Sequence, residues 1–113
     1  MERKSVLIID DETDLCLLLK SYFLRKEYDV RVSHRLDEGL LILDEIKPDI
    51  LFLDNNLPDG TGWNLAPEIA RKFPRMQINL ISAYHPEAES LSNQHVKIIE
   101  KPISFTDLDQ IFT

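Results

Sequence analysis

Short, wholly apolar runs alternate along this chain with stretches whose apolar residues recur every three or four positions. Ser5–Ile9 (SVLII) is the first run, β-branched and bounded by charge, which is how a strand buried on both faces reads. Thr13–Arg25 follows with Leu15, Leu18, Leu19 and Tyr22 at helical spacing, and Asp11–Thr13 are its capping candidates. Val30–Ser33 is the next predicted strand. Leu36–Ile46 is the next helix, striped by Leu36, Leu40, Leu43 and Ile46. Lys47–Pro48–Asp49 punctuates, because proline ends helices and biases the preceding residue to extended geometry. Ile50–Leu53 (ILFL) is a second fully apolar strand. Asp54 to Gly62 is rich in turn formers, with Gly60 and Gly62 free to bend without a β-carbon. The spacing predicts a helix over Trp63–Phe73 that stops at Pro74, then a strand over Gln77–Ile81. Beyond it the signal weakens. Pro86–Leu91 (PEAESL) offers roughly a turn and a half of helix, Lys97–Ile99 is a brief strand, and Phe105–Phe112 is a short amphipathic helix.

Apolar strands alternating with amphipathic helices predict right-handed βαβ crossovers and a parallel sheet covered on both faces. A chain of 113 residues without repeat, linker or low-complexity segment is read as one α/β domain over 1–113. Thirteen basic residues against twenty acidic ones leave a net charge of −7, which argues against direct binding of nucleic acid or anionic membrane. Neither a membrane span nor a signal peptide is expected, since no run reaches ~18 apolar residues and no basic-then-apolar leader occurs. The single cysteine, Cys16, forms no internal disulfide and sits among leucines, so it reads as a small buried hydrophobe. The expected setting is reducing and cytoplasmic.

Ligands of open α/β sheets bind at the carboxyl ends of the strands. The residues just past the predicted strands are Asp10 and Asp11, then Asp54, then Ser82, then Lys101 followed by Pro102. Three crowded carboxylates repel and gain protons unless a cation neutralises them. Short carboxylate ligands suit a hard cation, and a site with few protein ligands suits Mg²⁺ better than Ca²⁺. A lysine adds a mobile point charge for phosphate oxygens, a hydroxyl adds one hydrogen bond, and a carboxylate can itself be the nucleophile. Each motif alone has a plainer reading: Asp10–Asp11 as a helix cap, Asp54–Asn55–Asn56 as a turn, Lys101–Pro102 as a strand exit. Other phosphate chemistries fit worse. There is no GxGxxG or GxxxxGK[ST], no hydroxyl-and-glycine loop for a flavin phosphate, and the first aspartates are adjacent rather than spaced as in haloacid-dehalogenase-type phosphatases. His34, His85 and His95 show no metal-ligand spacing, and Trp63 reads as core.

The run IIDDE, the central LFLDNNLPDGTG, the serine of LISA and the lysine of EKP, in this order, resemble the receiver domain of two-component response regulators. The resemblance covers essentially the whole chain. It implies a single doubly wound (βα)5 flavodoxin-like domain with strand order 2-1-3-4-5. It implies Asp54 as phosphoacceptor, Asp10, Asp11, Asp54 and the Asn56 carbonyl as Mg²⁺ ligands, Ser82 and the adjoining Ala83 as the switch and phosphate-binding segment, and Lys101 as the phosphate-pairing lysine on a cis Lys101–Pro102 peptide. A sensor histidine kinase is the implied donor and an effector protein or output domain the implied recipient. The implied role is signalling with weak catalytic ability, not that of a dedicated enzyme.

Three features depart from the family pattern. Ile98 stands where an aromatic residue usually precedes the lysine by three, the nineteen positions from Ser82 to Lys101 are fewer than usual, and the customary Ala-Gly-Ala turn is missing. They leave a second reading open, in which the fold and pocket persist as a phosphorylation-independent binding module.

Overall fold

The apolar runs form five strands, β1 (Ser5–Ile9), β2 (Asp29–Ser33), β3 (Ile50–Asp54), β4 (Gln77–Ser82) and β5 (Val96–Glu100), in a computed structural model that describes residues 3–83 and 96–112. All pairings are parallel and the order is β2-β1-β3-β4-β5, the doubly wound arrangement expected. The predicted Pro86–Leu91 helix, His85 and His95 lie outside the described residues. Helices α1 (Thr13–Arg25), α2 (Leu36–Ile46), α3 (Ala66–Lys72) and α4 (Phe105–Phe112) complete the described elements. No described helix is long and apolar enough to cross a membrane.

Alternation along each strand divides the core in two. Leu7, Ile9, Leu51, Leu53, Ile78 and Leu80 point to a cluster closed by α2 and α3, where Trp63 is buried. Val6, Ile8, Ile50, Phe52 and Ile81 point to a second, closed by α1 and α4 through Leu15, Leu19, Phe23 and Leu108. Burial on both faces explains why β1 after Ser5 and β3 before Asp54 are apolar at every position rather than alternating. Tyr22 Oη donates to Asp109 Oδ1 at 2.7 Å and ties α1 to α4.

Two local expectations differ from the structure. The 63–73 helix begins as a 3₁₀ turn (Gly62–Leu65), and only Ala66–Lys72 is α-helical. Pro67 has no N–H to give the Trp63 carbonyl, and the Ala66 N–H bonds that carbonyl instead, tightening the first turn. The capping role given to Asp11–Thr13 is not played by any side chain: Glu12 occupies the N-cap of α1 without a side-chain cap bond. Gly60 closes a turn with Leu57, as expected of the loop after β3, and no glycine has positive φ. Gly62 is needed for space, because a β-carbon there would lie 2.5 Å from the Asp54 carbonyl oxygen and 2.8 Å from the Leu53 side chain.

The loop after β3 is fastened to α2 from a distance. Asp59 accepts from the Leu36 N–H at 2.8 Å and from the Asp37 N–H at 2.9 Å, filling the N-terminal donors that the N-cap residue Arg35 leaves open. These hydrogen bonds hold the Asp59 carboxyl down at about 2. Because the Gly62 contact is with backbone that cannot step aside, Gly62→Ala is expected to destabilise the chain by about 1–3 kcal/mol. Urea unfolding at constant m-value measures this, and an unchanged midpoint would show that the loop relaxes freely.

Candidate functional site

Parallel topology delivers the ends of β1, β3, β4 and β5 to one edge. Register sets Ile9 beside Leu53, Asp54 beside Ile81 and Ser82 beside Glu100. Asp10, Asp11, Asp54, Ser82 and Lys101 therefore share that edge, as the strand-end argument anticipates. Carboxylate oxygens of Asp10, Asp11 and Asp54 lie within 4.8 Å of one another. Asp10 and Asp54 are buried and Asp11 is exposed. Lys101 Nζ stands 3.5 Å from Asp10 Oδ2 and 3.7 Å from Asp54 Oδ1. Ser82 is buried at the last position of β4, and its carbonyl accepts from the Lys101 N–H at 2.7 Å. Ala83 follows it on the surface, Asn56 is exposed, and the Lys101–Pro102 peptide is cis as expected.

Asp10 is pinned almost completely. Its N–H donates to the Ser33 carbonyl at 3.1 Å, and its carbonyl accepts from His34 Nδ1 at 2.9 Å and from Cys16 Sγ at 3.3 Å. Its Oδ1 accepts from the Glu12 N–H at 2.7 Å. Only Oδ2 is left, a buried oxygen with no hydrogen bond among the described residues. The Asp54 carboxylate is oriented by the N–H groups of Asn56 and Asn55, and Asn55 Oδ1 accepts from the Trp63 N–H at 3.3 Å.

The electrostatics follow from this burial. Desolvation pushes Asp10 up to about 6, against the Glu12 N–H, with the Asp54 charge adding to the rise. Asp54 is raised for the same first reason, in spite of Lys101 and its two backbone donors. Burial pulls Lys101 down, and the Glu12 hydrogen bond with the Asp10 and Asp54 charges more than reverses it. One ammonium near two buried carboxylates leaves negative charge in excess. Three converging carboxylates, one of them carrying an orphaned buried oxygen, fit a hard divalent cation.

Comparisons with known proteins identify the family. Residues 6–113 match the family described as the response regulator receiver domain. The chain belongs to that family. This receiver domain is 33% identical over 84 residues to response regulator protein PilR of Pseudomonas aeruginosa, an alignment covering 74% of the chain and 19% of that protein. It thus spans about a fifth of that relative. The CheY-like receiver domain protein of Methanospirillum hungatei superposes with a TM-score of 0.86 at 26% identity, over 97% of this chain and 90% of that one. Chemotaxis protein CheY4 of Vibrio cholerae shares the fold, with a TM-score of 0.83 at 17% identity over 97% and 96% of the two chains.

Sequence reasoning missed Glu12, His34 and Asp59. His34 was within reach of the strand-end rule, since it follows β2 directly. Cys16 is buried and its thiol is pushed up to about 12 by burial and by the neighbouring carboxylates, which suits the inert role expected.

A raised carboxyl group favours its protonated form in the folded state, so its ionisation costs stability as pH rises through about 6. Without divalent cation, the receiver domain is expected to gain stability from pH 7 towards pH 5, and Asp10→Asn to reduce that slope, Asp54 keeping the remainder. The same variant should be more stable than wild type at pH 8 by on the order of 1 kcal/mol. Thermal melts in chelator measure both, and a less stable Asp10→Asn would contradict the charge argument.

Proposed function

We propose that this receiver domain, taken as one unit over residues 1–113, accepts a phosphoryl group on Asp54 from a sensor histidine kinase. The observation that carries the reading is the convergence of Asp10, Asp11 and Asp54 within 4.8 Å, with Lys101 alongside. An Asp54 carboxylate oxygen attacks the phosphorus of a phosphohistidine. A phosphorus–oxygen bond forms, the phosphorus–nitrogen bond breaks, and its electron pair stays on the imidazole. Asp10, Asp11, Asp54 and the Asn56 carbonyl would hold Mg²⁺, which would supply positive charge for the phosphoryl oxygens. Lys101 pairs with one of those oxygens and the Ser82 hydroxyl donates to another, with Ala83 and Pro102 framing the two contacts. The new charge biases the segments after β3 and β4 between two arrangements, which an effector or output domain reads.

The chain's contribution is to bind, orient and hold charge, which makes it a signalling domain, not a dedicated enzyme. With a net charge of −7, its partners are proteins and not nucleic acid or membrane. The second reading, a phosphorylation-independent docking module, draws support from Ile98, which packs half-buried against the α2–α3 cluster in place of an aromatic side chain. The full acidic and lysine set weighs against it.

Intact mass after incubation with a small-molecule phosphodonor separates the two. Wild type is expected to gain one phosphoryl group only when Mg²⁺ is present, and Asp54→Asn none. Labelling of Asp54→Asn would remove the assignment of Asp54. An unlabelled wild type that still binds a protein partner would favour the docking module.

A further inference from the structure

Among the described residues Lys101 has three carboxylates within ion-pair reach, and its short contact goes to the one outside the acidic cluster. Nζ lies 2.7 Å from Glu12 Oε1, against 3.5 Å from Asp10 Oδ2 and 3.7 Å from Asp54 Oδ1. We propose that Glu12 is a positioning residue that parks Lys101 away from Asp10 and Asp54, keeping both carboxylates open to the divalent cation. The proposal rests on the phosphoacceptor reading above.

The choice of partner is informative because the deeper carboxylates offer stronger attraction. The Asp10 side chain is 0% exposed and that of Asp54 5%, while Glu12 is 57% exposed. Charges attract more strongly away from water. Yet the charge-assisted hydrogen bond is made at the rim, where an ion pair is most easily exchanged for another.

The local backbone supports a dedicated role. Residue 12 is the N-cap of α1, a position where Ser, Thr, Asp or Asn ordinarily accept from an open helix N–H. Glu12 forgoes that bond, and its carboxylate crosses to Lys101, 89 residues along the chain. Its own N–H is meanwhile held by Asp10 Oδ1, which fixes residue 12 to the cluster it serves. The Lys101 backbone is fixed by its bond to the Ser82 carbonyl, so only the flexible four-carbon stem has to swing. Without the Glu12 carboxylate, the remaining partners of Lys101 among the described residues are Asp10 and Asp54. The ammonium would then close on Asp10 Oδ2, the orphaned oxygen that a cation needs.

Mg²⁺ affinity measured by calorimetry tests this on wild type, Glu12→Gln and Glu12→Asp, and on Glu12→Gln in a Lys101→Met background. Glu12→Gln is expected to weaken Mg²⁺ binding about fivefold, which is the scale of a partly exposed ion pair. In the Lys101→Met background, where nothing remains to be parked, the same change should cost less than about twofold. Glu12→Asp keeps the charge but favours capping α1, and should weaken binding as Glu12→Gln does. Equal weakening with and without Lys101 would overturn the proposal in favour of a plain charge effect, as would unaltered affinity in Glu12→Gln. If Lys101→Met fails to fold by circular dichroism, Glu12→Asp decides, and wild-type affinity in that variant would overturn the proposal. Phosphoryl labelling of wild type in the same preparations reports separately on the underlying reading. Wild type that bound no Mg²⁺ would overturn both.

Discussion

Two carboxylates buried side by side at the carboxyl edge of a parallel sheet are the constraint on which this structure turns. Asp10 and Asp54 follow strands that are apolar on both faces, and a single ammonium stands near them. Such a pair opposes folding, since desolvation and mutual repulsion both penalise the charged forms. A fold keeps such an arrangement where the site has work to do, and perturbed carboxyl groups in a shared cleft are the usual sign of one.

The rest of the molecule restrains that pair. Every polar atom of Asp10 except Oδ2 has a named partner, drawn from β2, the residue after it, α1 and the helix N-cap. Asp54 is oriented by the first two N–H groups of its own loop, and Gly62 lies against its carbonyl. Asp59 carries the far side of the loop onto α2. The acidic site is therefore set on strands and held by neighbours, which makes it rigid before any ligand arrives. Lys101 is the exception. Its stem is free to redistribute among three carboxylates, and that freedom suits a group meant to follow a charge that comes and goes.

Most of the fold was legible because burial on both faces leaves an unambiguous imprint. SVLII and ILFL read as strands of a covered parallel sheet, and every described strand was found within one residue of its predicted bounds. The site's main carboxylates, Ser82 and Lys101 followed from the same reasoning, since position after a strand needs no knowledge of contacts. What stayed hidden depends on distant partners. Glu12 looks like one more acidic residue before a helix until Lys101 is seen beside it, and Asp59 looks like a turn former until it caps a helix more than twenty residues away. The 3₁₀ start of the 63–73 segment was hidden differently: Pro67 announced it, but helical periodicity ran straight through.

The central claim is that negative charge left over at this edge is there to hold a divalent cation. Calorimetric titration with Mg²⁺ at pH 6 and pH 8, in buffers of differing ionisation enthalpy, tests it most directly. With Asp10 at about 6 and Asp54 also raised by burial, binding of one ion should release protons at pH 6 and fewer at pH 8. A chain that takes up no Mg²⁺ at millimolar concentration, or takes it up without proton release at pH 6, would contradict the account.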